Sequence, residues 1–453
     1  MKIVRIGIIS LVLLTLVLSG CSSGNKSETA KPLKELTATE FYNQISPSIA
    51  YITSPAGSGS GLLITGGYIV TCAHVVWPFE NVSVVFPNSS EIQAQVLNYD
   101  LLADIAVLKP VSVNISPLAL APRGNLSVGA PVFAIGYPGE NKEHHQPTLS
   151  QGMISTFRSW DTLNLTYIQT DAAGSFGQSG GGLFSNKGEL LGMLGYSFTS
   201  SFHLAFSATN LSSRVGRLIN GEDVASLGSR LLPSDGGQKK LTLAPAHWWD
   251  SKIFVIRQPA GTHIDIKATS TQYIEVSLTD ANGYQVDYDN TSSGTASVST
   301  TTEYDAPYFL SVEQISKTVA NIQLSSSCDL IPFTDRDDGK EISAGDTVLA
   351  SLDYPGDGDY YSISLLEGQR INISVDSLMI DPYIGVFPSD LLSLKLKDWG
   401  NVTWFDDDSG GGLFGTNAYL ELTAPKKGTY IIGVTDSNDE YIGGYILTVK
   451  AAD

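Results

Sequence analysis

Between residues 40 and 228, hydrophobic and polar positions form many short aliphatic and β-branched runs separated by Gly, Pro and Asn. Runs of this length and spacing are typical of strands in an antiparallel barrel or sandwich. One segment has a helical period instead, because Val215, Leu218 and Ile219 follow Asn210 or Ser212 as a candidate N-cap. We therefore predict a β-rich unit that ends in one helix. The predicted strands are 48–52, 61–70, 82–86, 92–98, 105–108, 132–135, 151–157, 190–195 and 203–207.

Beyond a connector rich in Gly, Ser and Pro at 228–237, apolar and polar side chains alternate as they do in strands. The alternation also repeats, which predicts two similar all-β units, 241–326 and 329–453. The fold class is thus all-β, with two sandwiches after the first unit. The matching segments are 260–266 with 367–373, 272–276 with 381–387, and 307–312 with 429–434.

The first 20 residues have the pattern of a secretory signal. Lys2 and Arg5 precede an apolar run at 6–18, and Ser19 and Gly20 follow it. The run is shorter than the roughly 20 residues that span a bilayer, which disfavours a permanent transmembrane helix.

Leu-Ser-Gly-Cys at 18–21 resembles the lipobox of bacterial lipoproteins, which implies lipidation at Cys21. The alternative is an ordinary cleaved signal that happens to contain a Cys. The polar stretch 21–39 reads as a flexible tether. We expect an extracytoplasmic protein, lipid-anchored to the membrane.

Charge and cysteine content exclude several classes of function. The 453 residues carry a net charge of −19, which repels nucleic-acid phosphates. From Cys328 to Asp453 there are 22 acidic and 8 basic residues, so the last unit is the most acidic. Three Cys are too few for a disulfide-dense scaffold or a four-cysteine zinc site.

Three segments of the first unit carry residues that can act together. His74 follows an apolar strand, Asp104 precedes another, and Ser179 lies in the turn Gly-Gln-Ser-Gly-Gly. Each is weak evidence alone, since a single His or Asp at a strand end is usually structural. Together they supply a nucleophile, a base and an acceptor that orients the base. Gly177 and Ser179 would offer backbone N–H groups to a developing oxyanion, and Gly177 can adopt φ > 0.

In order, these segments resemble HtrA-type (DegP-like) trypsin-fold serine proteases over about residues 41–225. The resemblance implies a chymotrypsin-like double β-barrel, with His74 as general base, Asp104 as its orienting acid and Ser179 as nucleophile. It also implies a substrate pocket at Ala173, Gly195 and Tyr196, and cleavage after small or medium aliphatic residues. The motifs are Gly-Ser-Gly-Ser-Gly at 57–61, Thr-Cys-Ala-His-Val-Val at 71–76, Asp-Ile-Ala-Val-Leu at 104–108, Ala-Ile-Gly-Tyr-Pro-Gly at 134–139, Gln-Thr-Asp-Ala-Ala at 169–173 and Leu-Ala-Phe-Ser at 204–207.

The chain also departs from that family. Gln178 stands where the family usually has Asn, and no PDZ domain follows the protease-like unit. The unit 329–453 resembles the bacterial pre-peptidase C-terminal domain, a jelly-roll-like β-sandwich, and 241–326 resembles it in outline. Because a connector separates them, we expect the catalytic unit at 40–228 to fold without the sandwiches.

Two other functions stay open from the sequence. A protease fold without catalytic activity could serve as a binding module. Alternatively, the chain is an adhesion or polymer-binding lipoprotein that uses its β-sandwich modules. Protein or peptide substrates are the expected partners, and the sequence does not set the oligomeric state. No cofactor is expected, although the acidic turns 335–339 and 406–408 offer the oxygen atoms that Ca²⁺ prefers; solvated turns are the simpler reading.

Overall fold

The computed structural model describes residues 34–55, 57–121, 126–139, 146–175, 177–199, 202–228, 232–245, 251–314, 316, 318–389, 404–412, 415–438 and 441–452, with no side-chain description at 197–199. The signal segment and Cys21 lie outside these ranges. Residues Glu35–Asp453 form one compact unit. Within the described ranges, no helix has the length and apolar character to cross a membrane.

Two closed six-stranded barrels form the N-terminal part, which confirms the predicted double-barrel architecture. Neighbouring strands run β1-β2-β3-β6-β5-β4 in the first barrel and β10-β11-β12-β9-β8-β7 in the second. The strands are β1 (Ile49–Ser54), β2 (Gly57–Leu63), β3 (Ile69–Thr71), β4 (Asn81–Val85), β5 (Ile92–Asp100), β6 (Ile105–Leu108), β7 (Pro131–Gly136), β8 (Thr148–Trp160), β9 (Leu165–Thr170), β10 (Gly182–Ser185), β11 (Leu190–Thr199) and β12 (Phe202–Ser207).

Helices are few and short in the described chain. They are α1 (Ala38–Ile45), α2 (Ala73–Val76) and α3 (Ala208–Ile219), with 3-10 turns at Ser46–Ser48 and Asp161–Leu163. The prediction of Asn210 or Ser212 as the cap of the last helix was wrong. Helix α3 begins at Ala208, because the Ser207 hydroxyl accepts the N–H of Asn210 at 3.4 Å.

The predicted strand at 61–70 is in fact a hairpin. Gly66 and Gly67 have φ of 93° and 81°, which turns the chain back after β2. Glycine adopts such angles without a steric cost, so the apolar run divides into two strands. This turn brings β3, and the residues after it, against β6.

The C-terminal half contains three further sheets. An eight-stranded sheet comes first, and the last unit packs a five-stranded sheet against a four-stranded one. The strands of the first sheet are β13 (Gln238–Leu243), β14 (Lys252–Arg257), β15 (His263–Ser270), β16 (Ile274–Thr279), β17 (Gln285–Thr291), β18 (Gly294–Thr301), β19 (Pro307–Gln314) and β20 (Ile322–Phe333). Those of the last unit, called the last sandwich below, are β21 (Glu341–Ile342), β22 (Thr347–Leu352), β23 (Gly358–Leu365), β24 (Arg370–Ser377), β25 (Pro382–Pro388), β26 (Trp404–Asp406), β27 (Ala418–Thr423), β28 (Gly428–Asp436) and β29 (Gly443–Ala451).

The apolar core of the barrels continues into the C-terminal half. One cluster of buried side chains joins the barrel residues to Phe309, Tyr354, Leu378 and Ile446. Burial of apolar surface is the main favourable contribution to folding, so these contacts tie the units together. That the catalytic unit folds without the sandwiches stays a prediction, although this core connects the units in the full chain.

Candidate active site

His74 lies on α2, directly after the buried strand β3. Its Nδ1 is 2.8 Å from Oδ2 of Asp104, and its backbone N–H donates to Oδ1 of the same carboxylate at 3.0 Å. The His74 side chain is 39% exposed, whereas that of Asp104 is 2% exposed. The carboxylate therefore contacts the Nδ1 side of the ring and leaves the Nε2 side accessible.

Asp104 has an unusual backbone conformation, with φ of 53°. A residue other than glycine in this region is strained, and such strain persists only where neighbours hold it. Here the carboxylate of Asp100 accepts the N–H of Ala103 at 3.0 Å and pairs with the guanidinium of Arg214 on α3. This buried ion pair braces the turn that carries Asp104.

The charge of Asp104 changes the proton affinity of its neighbours. Burial lowers the pKa of His74, but the charge of Asp104 and its hydrogen bond raise it more, so the net pKa lies above the ordinary 6.5. Burial, followed by Asp104, raises the pKa of Cys72 and of Tyr196 well above their ordinary values. The thiol and the phenol thus stay neutral beside the carboxylate.

Ser179 lies in the turn before β10, in the same cavity as His74. Its hydroxyl donates to the carbonyl oxygen of Gly195 at 3.1 Å. Proton transfer to His74 therefore requires the hydroxyl to leave this carbonyl. Nucleophile and base are often poorly aligned before a substrate binds.

The turn around Gly177 has little freedom. Gly177 has φ of 90°, and a Cβ there would lie 2.4 Å from the amide nitrogen of Gly139. The buried hydroxyl of Ser60 donates to the Gly177 carbonyl at 3.0 Å and accepts the N–H of Tyr137 at 2.8 Å. Among the described residues, the amides of Gly177 and Ser179 donate to no backbone carbonyl. The contacts of Gly177 and Ser60 thus fix the turn that carries both predicted oxyanion donors, and within the described chain neither donor is engaged by a backbone carbonyl.

The predicted pocket residues Ala173, Gly195 and Tyr196 all line one cavity next to Ser179. Two further residues line it: Gln178, which the sequence singled out only as a departure from Asn, and His203, which the sequence did not single out. Oε1 of Gln178 accepts the N–H of Ser175 at 3.1 Å, so this departure from Asn serves to close the turn. His203 belongs to an ordinary alternating strand, and no motif identifies it.

A second group missed from sequence comes from the last sandwich. Segment 378–381, Thr416 and Tyr441 line the same cavity as His74 and Ser179. They lie about 200 residues or more beyond Ser179 in the chain. No local pattern signals such a contact, because only the packing of the two units creates it.

Two groups of potential metal ligands occur among the described residues: Cys72, His74 and Asp104, and Asp335, Asp337 and Asp359. In the first, the neutral buried thiol is a poor ligand. In the second, Asp359 is fully buried, its Oδ2 accepts the hydroxyl of Tyr445, and its Oδ1 accepts no hydrogen bond within the described chain. Burial, and then Asp335, raises the pKa of Asp359 well above its usual range.

Two family profiles match the chain. The trypsin-like peptidase domain matches residues 59–193, and the bacterial pre-peptidase C-terminal domain matches residues 357–436. The chain therefore contains a trypsin-like peptidase domain and a pre-peptidase C-terminal domain, as the sequence reading predicted.

Curated relatives are similar to part of the chain. A probable periplasmic DegP-like serine endoprotease of Pseudomonas putida is 33% identical over 178 residues, which covers 36% of this chain and 36% of that protein. Serine protease HTRA1 of Xenopus laevis is 28% identical, covering 49% and 53%. The Do-like HtrA protease of Lactococcus lactis is 30% identical, covering 39% and 45%. The chain thus spans about a third to a half of the length of the relatives it matches.

Solved structures of similar proteins include a serine endoprotease from Yersinia pestis. It is 28% identical, with a TM-score of 0.36, and the match covers 41% of this chain and 67% of that one. An HtrA-type protease named AlgW, solved with a tripeptide, is 27% identical with a TM-score of 0.37 and covers 41% and 65%.

Proposed function

We propose that this chain, which contains a trypsin-like peptidase domain, is a serine endopeptidase that cleaves unfolded or surface proteins outside the cytoplasm. The observation that carries the proposal is the contact of His74 with the buried carboxylate of Asp104, in the cavity that also holds Ser179. A nucleophile, a base and an orienting acid are the parts that acyl transfer needs.

The reaction follows from these positions. Oγ of Ser179 attacks the scissile carbonyl while the outer nitrogen of His74 takes the hydroxyl proton. The carbonyl oxygen becomes an oxyanion, which the N–H groups of Gly177 and Ser179 stabilise. The C–N bond then breaks, and His74 returns its proton to the leaving amine. Water hydrolyses the acyl-enzyme with His74 again as base, and Asp104 stabilises the cationic ring at each stage.

The pocket favours uncharged side chains. Ala173 lines the cavity, and by the resemblance to trypsin-fold proteases it occupies the position where a protease specific for Lys or Arg needs a carboxylate to pair the buried cation. We therefore propose cleavage after small or medium aliphatic residues. Mass spectrometry of the termini released from an unfolded protein tests this, and recovery of mainly Lys and Arg would contradict it.

The direct test of catalysis is Ser179→Ala, which removes the attacking oxygen and no core volume. We expect hydrolysis of unfolded casein to fall at least 10³-fold with an unchanged unfolding midpoint. The matched control is Ser159→Ala, at an exposed serine of the second barrel. Full activity of Ser179→Ala, or inactivity of the parent chain, would instead favour the non-catalytic adhesion or polymer-binding alternative.

We also propose that Cys21 carries a lipid anchor, which places the enzyme on an extracytoplasmic membrane face. Support comes from the sequence at 18–21, and from the periplasmic assignment printed for the Pseudomonas relative. Stable anchoring needs more than one acyl chain, which a diacylated cysteine supplies. Cys21→Ser should move the protein from the membrane to the soluble fraction, and Cys72→Ser should not.

A calcium ion in the last sandwich is a second proposal, and it concerns stability. The carboxylates of Asp335, Asp337 and Asp359 offer oxygen atoms within 4.8 Å of one another. Lys340 contacts Asp337 at 2.8 Å, while the buried Oδ1 of Asp359 accepts no hydrogen bond within the described chain. Oxygen-rich sites of this kind suit Ca²⁺.

Calcium at 100 times its Kd should stabilise the folded chain by about 2.7 kcal/mol, measured as urea unfolding with Ca²⁺ against EGTA. Asp359→Asn should abolish this gain, whereas Glu367→Gln, at an exposed carboxylate of the same sandwich outside both acidic turns, should keep it. An equal calcium response in both variants would refute the site.

A further inference from the structure

The cavity beside Ser179 has a volume of about 590 Å³ and two sources of lining residues. The barrels supply one side, which includes Ser179 and His74. The last sandwich supplies the other, through Leu378, Met379, Ile380, Asp381, Thr416 and Tyr441. Cavities of this size hold small ligands or a few side chains, and most of these lining side chains are apolar.

The sandwich side of the cavity is held by buried hydrogen bonds. The Ser377 hydroxyl accepts the N–H groups of Met379 at 3.0 Å and Ile380 at 3.2 Å. It donates in turn to the carbonyl of Gly444 at 2.8 Å. Ser377 is only 3% exposed, so water competes little for these bonds. Segment 378–381 is therefore a fixed wall of the cavity.

A second buried group fixes the remaining part of this wall. The carboxylate of Asp436, which is 2% exposed, accepts the N–H of Asp381 at 2.9 Å and that of Tyr441 at 3.3 Å. The Tyr441 side chain itself is 54% exposed. Its backbone is thus anchored while its ring is free to contact another molecule. Leu378 is buried in the core shared with the barrels, so this wall packs against the barrels.

We propose that Met379 and Tyr441 of the last sandwich are specificity-determining residues, which select, within the aliphatic residues proposed above, substrates with a medium-sized side chain such as Leu over Ala next to the scissile bond. This inference rests on the proposed peptidase function. The preferred substrates are unfolded segments rich in Leu, Ile or Met, because only an unfolded chain can place such a side chain between the two units. Oδ2 of Asp381 accepts the Ser437 hydroxyl at 2.7 Å, whereas its buried Oδ1 accepts no hydrogen bond within the described chain, so one oxygen of this carboxylate is engaged within the sandwich.

The test compares Met379→Ala and Tyr441→Ala with the control Leu366→Ala, all in the full-length chain. Leu366 is 61% exposed on the same sandwich and does not line the cavity. Two peptides identical except for Leu or Ala beside the cleaved bond serve as substrates. A small fluorophosphonate that reacts with Ser179 reports the catalytic groups independently of the wall.

We expect kcat/KM for the Leu peptide to fall about tenfold in both variants, which is the range for losing part of an apolar pocket. The Ala peptide and the labelling rate should change less than twofold, and Leu366→Ala should match the parent. Equal effects on both peptides, no effect, or faster cleavage of both would overturn the inference. No labelling and no cleavage by the parent chain would instead refute the proposed function.

Discussion

The N–H of Gly444, in the last strand of the chain, donates to the carbonyl oxygen of Leu101 at 3.3 Å. Leu101 begins the turn that ends in Asp104, so β29 of the last sandwich touches the turn that orients His74. A Cβ at Gly444 would lie 2.8 Å from the backbone nitrogen of Leu102. Glycine at this position is thus what permits the close approach.

Gly444→Val should therefore disturb the Asp104 turn from a distance. The added methyl groups cannot fit beside the Leu102 backbone, so either the turn or the sandwich must shift. We expect kcat/KM to fall at least tenfold for peptides of every sequence, because a misplaced base affects all substrates. Gly428→Val is the control, since a Cβ at Gly428 has no atom within 4 Å. Equal activity in both variants would show that the contact is not coupled to the site.

The pH dependence of cleavage should follow His74. The base acts only when neutral, and its pKa is raised, so kcat/KM should rise with pH through an inflection above 6.5. The same shift stabilises the folded state fully below pH 6.5, and this stabilisation is lost as pH rises through the raised pKa. Asp104→Asn removes the raising charge, so the inflection should move to lower pH while kcat falls about 10⁴-fold. An unmoved inflection would assign the titration to another group.

Much of the barrel region could be predicted because its signals are local. Strand alternation, the Gly-Gln-Ser-Gly-Gly turn and the positions of His74 and Asp104 follow from residues close in sequence. The predicted start of helix α3 was wrong because Ser207 caps the helix. Ser and Asn are both favourable N-cap residues, so the sequence alone does not distinguish Ser207 from Asn210. What the sequence could not reveal depends on distant packing: the buried hydroxyl of Ser60 against Gly177, and the wall formed by Met379 and Tyr441.

Arg214→Met should destabilise the protein strongly. It leaves the carboxylate of Asp100, which is fully buried, without its cation. Breaking a buried pair in this way costs about 3 to 5 kcal/mol. Arg217→Met on the same helix breaks an ion pair with Glu222 whose partners are 48% and 49% exposed, so it should cost at most about 1 kcal/mol. Urea unfolding of both variants gives the comparison, and similar losses would mean that the buried pair does not brace the fold.

Ser60→Ala should impair catalysis without touching the reacting groups. Its hydroxyl donates a hydrogen bond to the carbonyl of Gly177 and accepts one from the buried N–H of Tyr137. Its loss leaves that N–H without an acceptor, at about 1 to 3 kcal/mol of stability. It also frees the peptide group that positions an oxyanion donor, and removal of such a donor costs on the order of 10²–10³ in kcat. We expect a smaller loss, roughly tenfold to 100-fold in kcat with little change in KM, because the donor is loosened and not removed.

A peptide aldehyde, which forms an oxyanion on the serine, should lose affinity in parallel with kcat/KM, whereas a product peptide should not. Ser58→Ala, two residues earlier in the same strand, is the control. A parallel loss of product binding would mean that Ser60 supports the fold of the pocket and not the oxyanion turn.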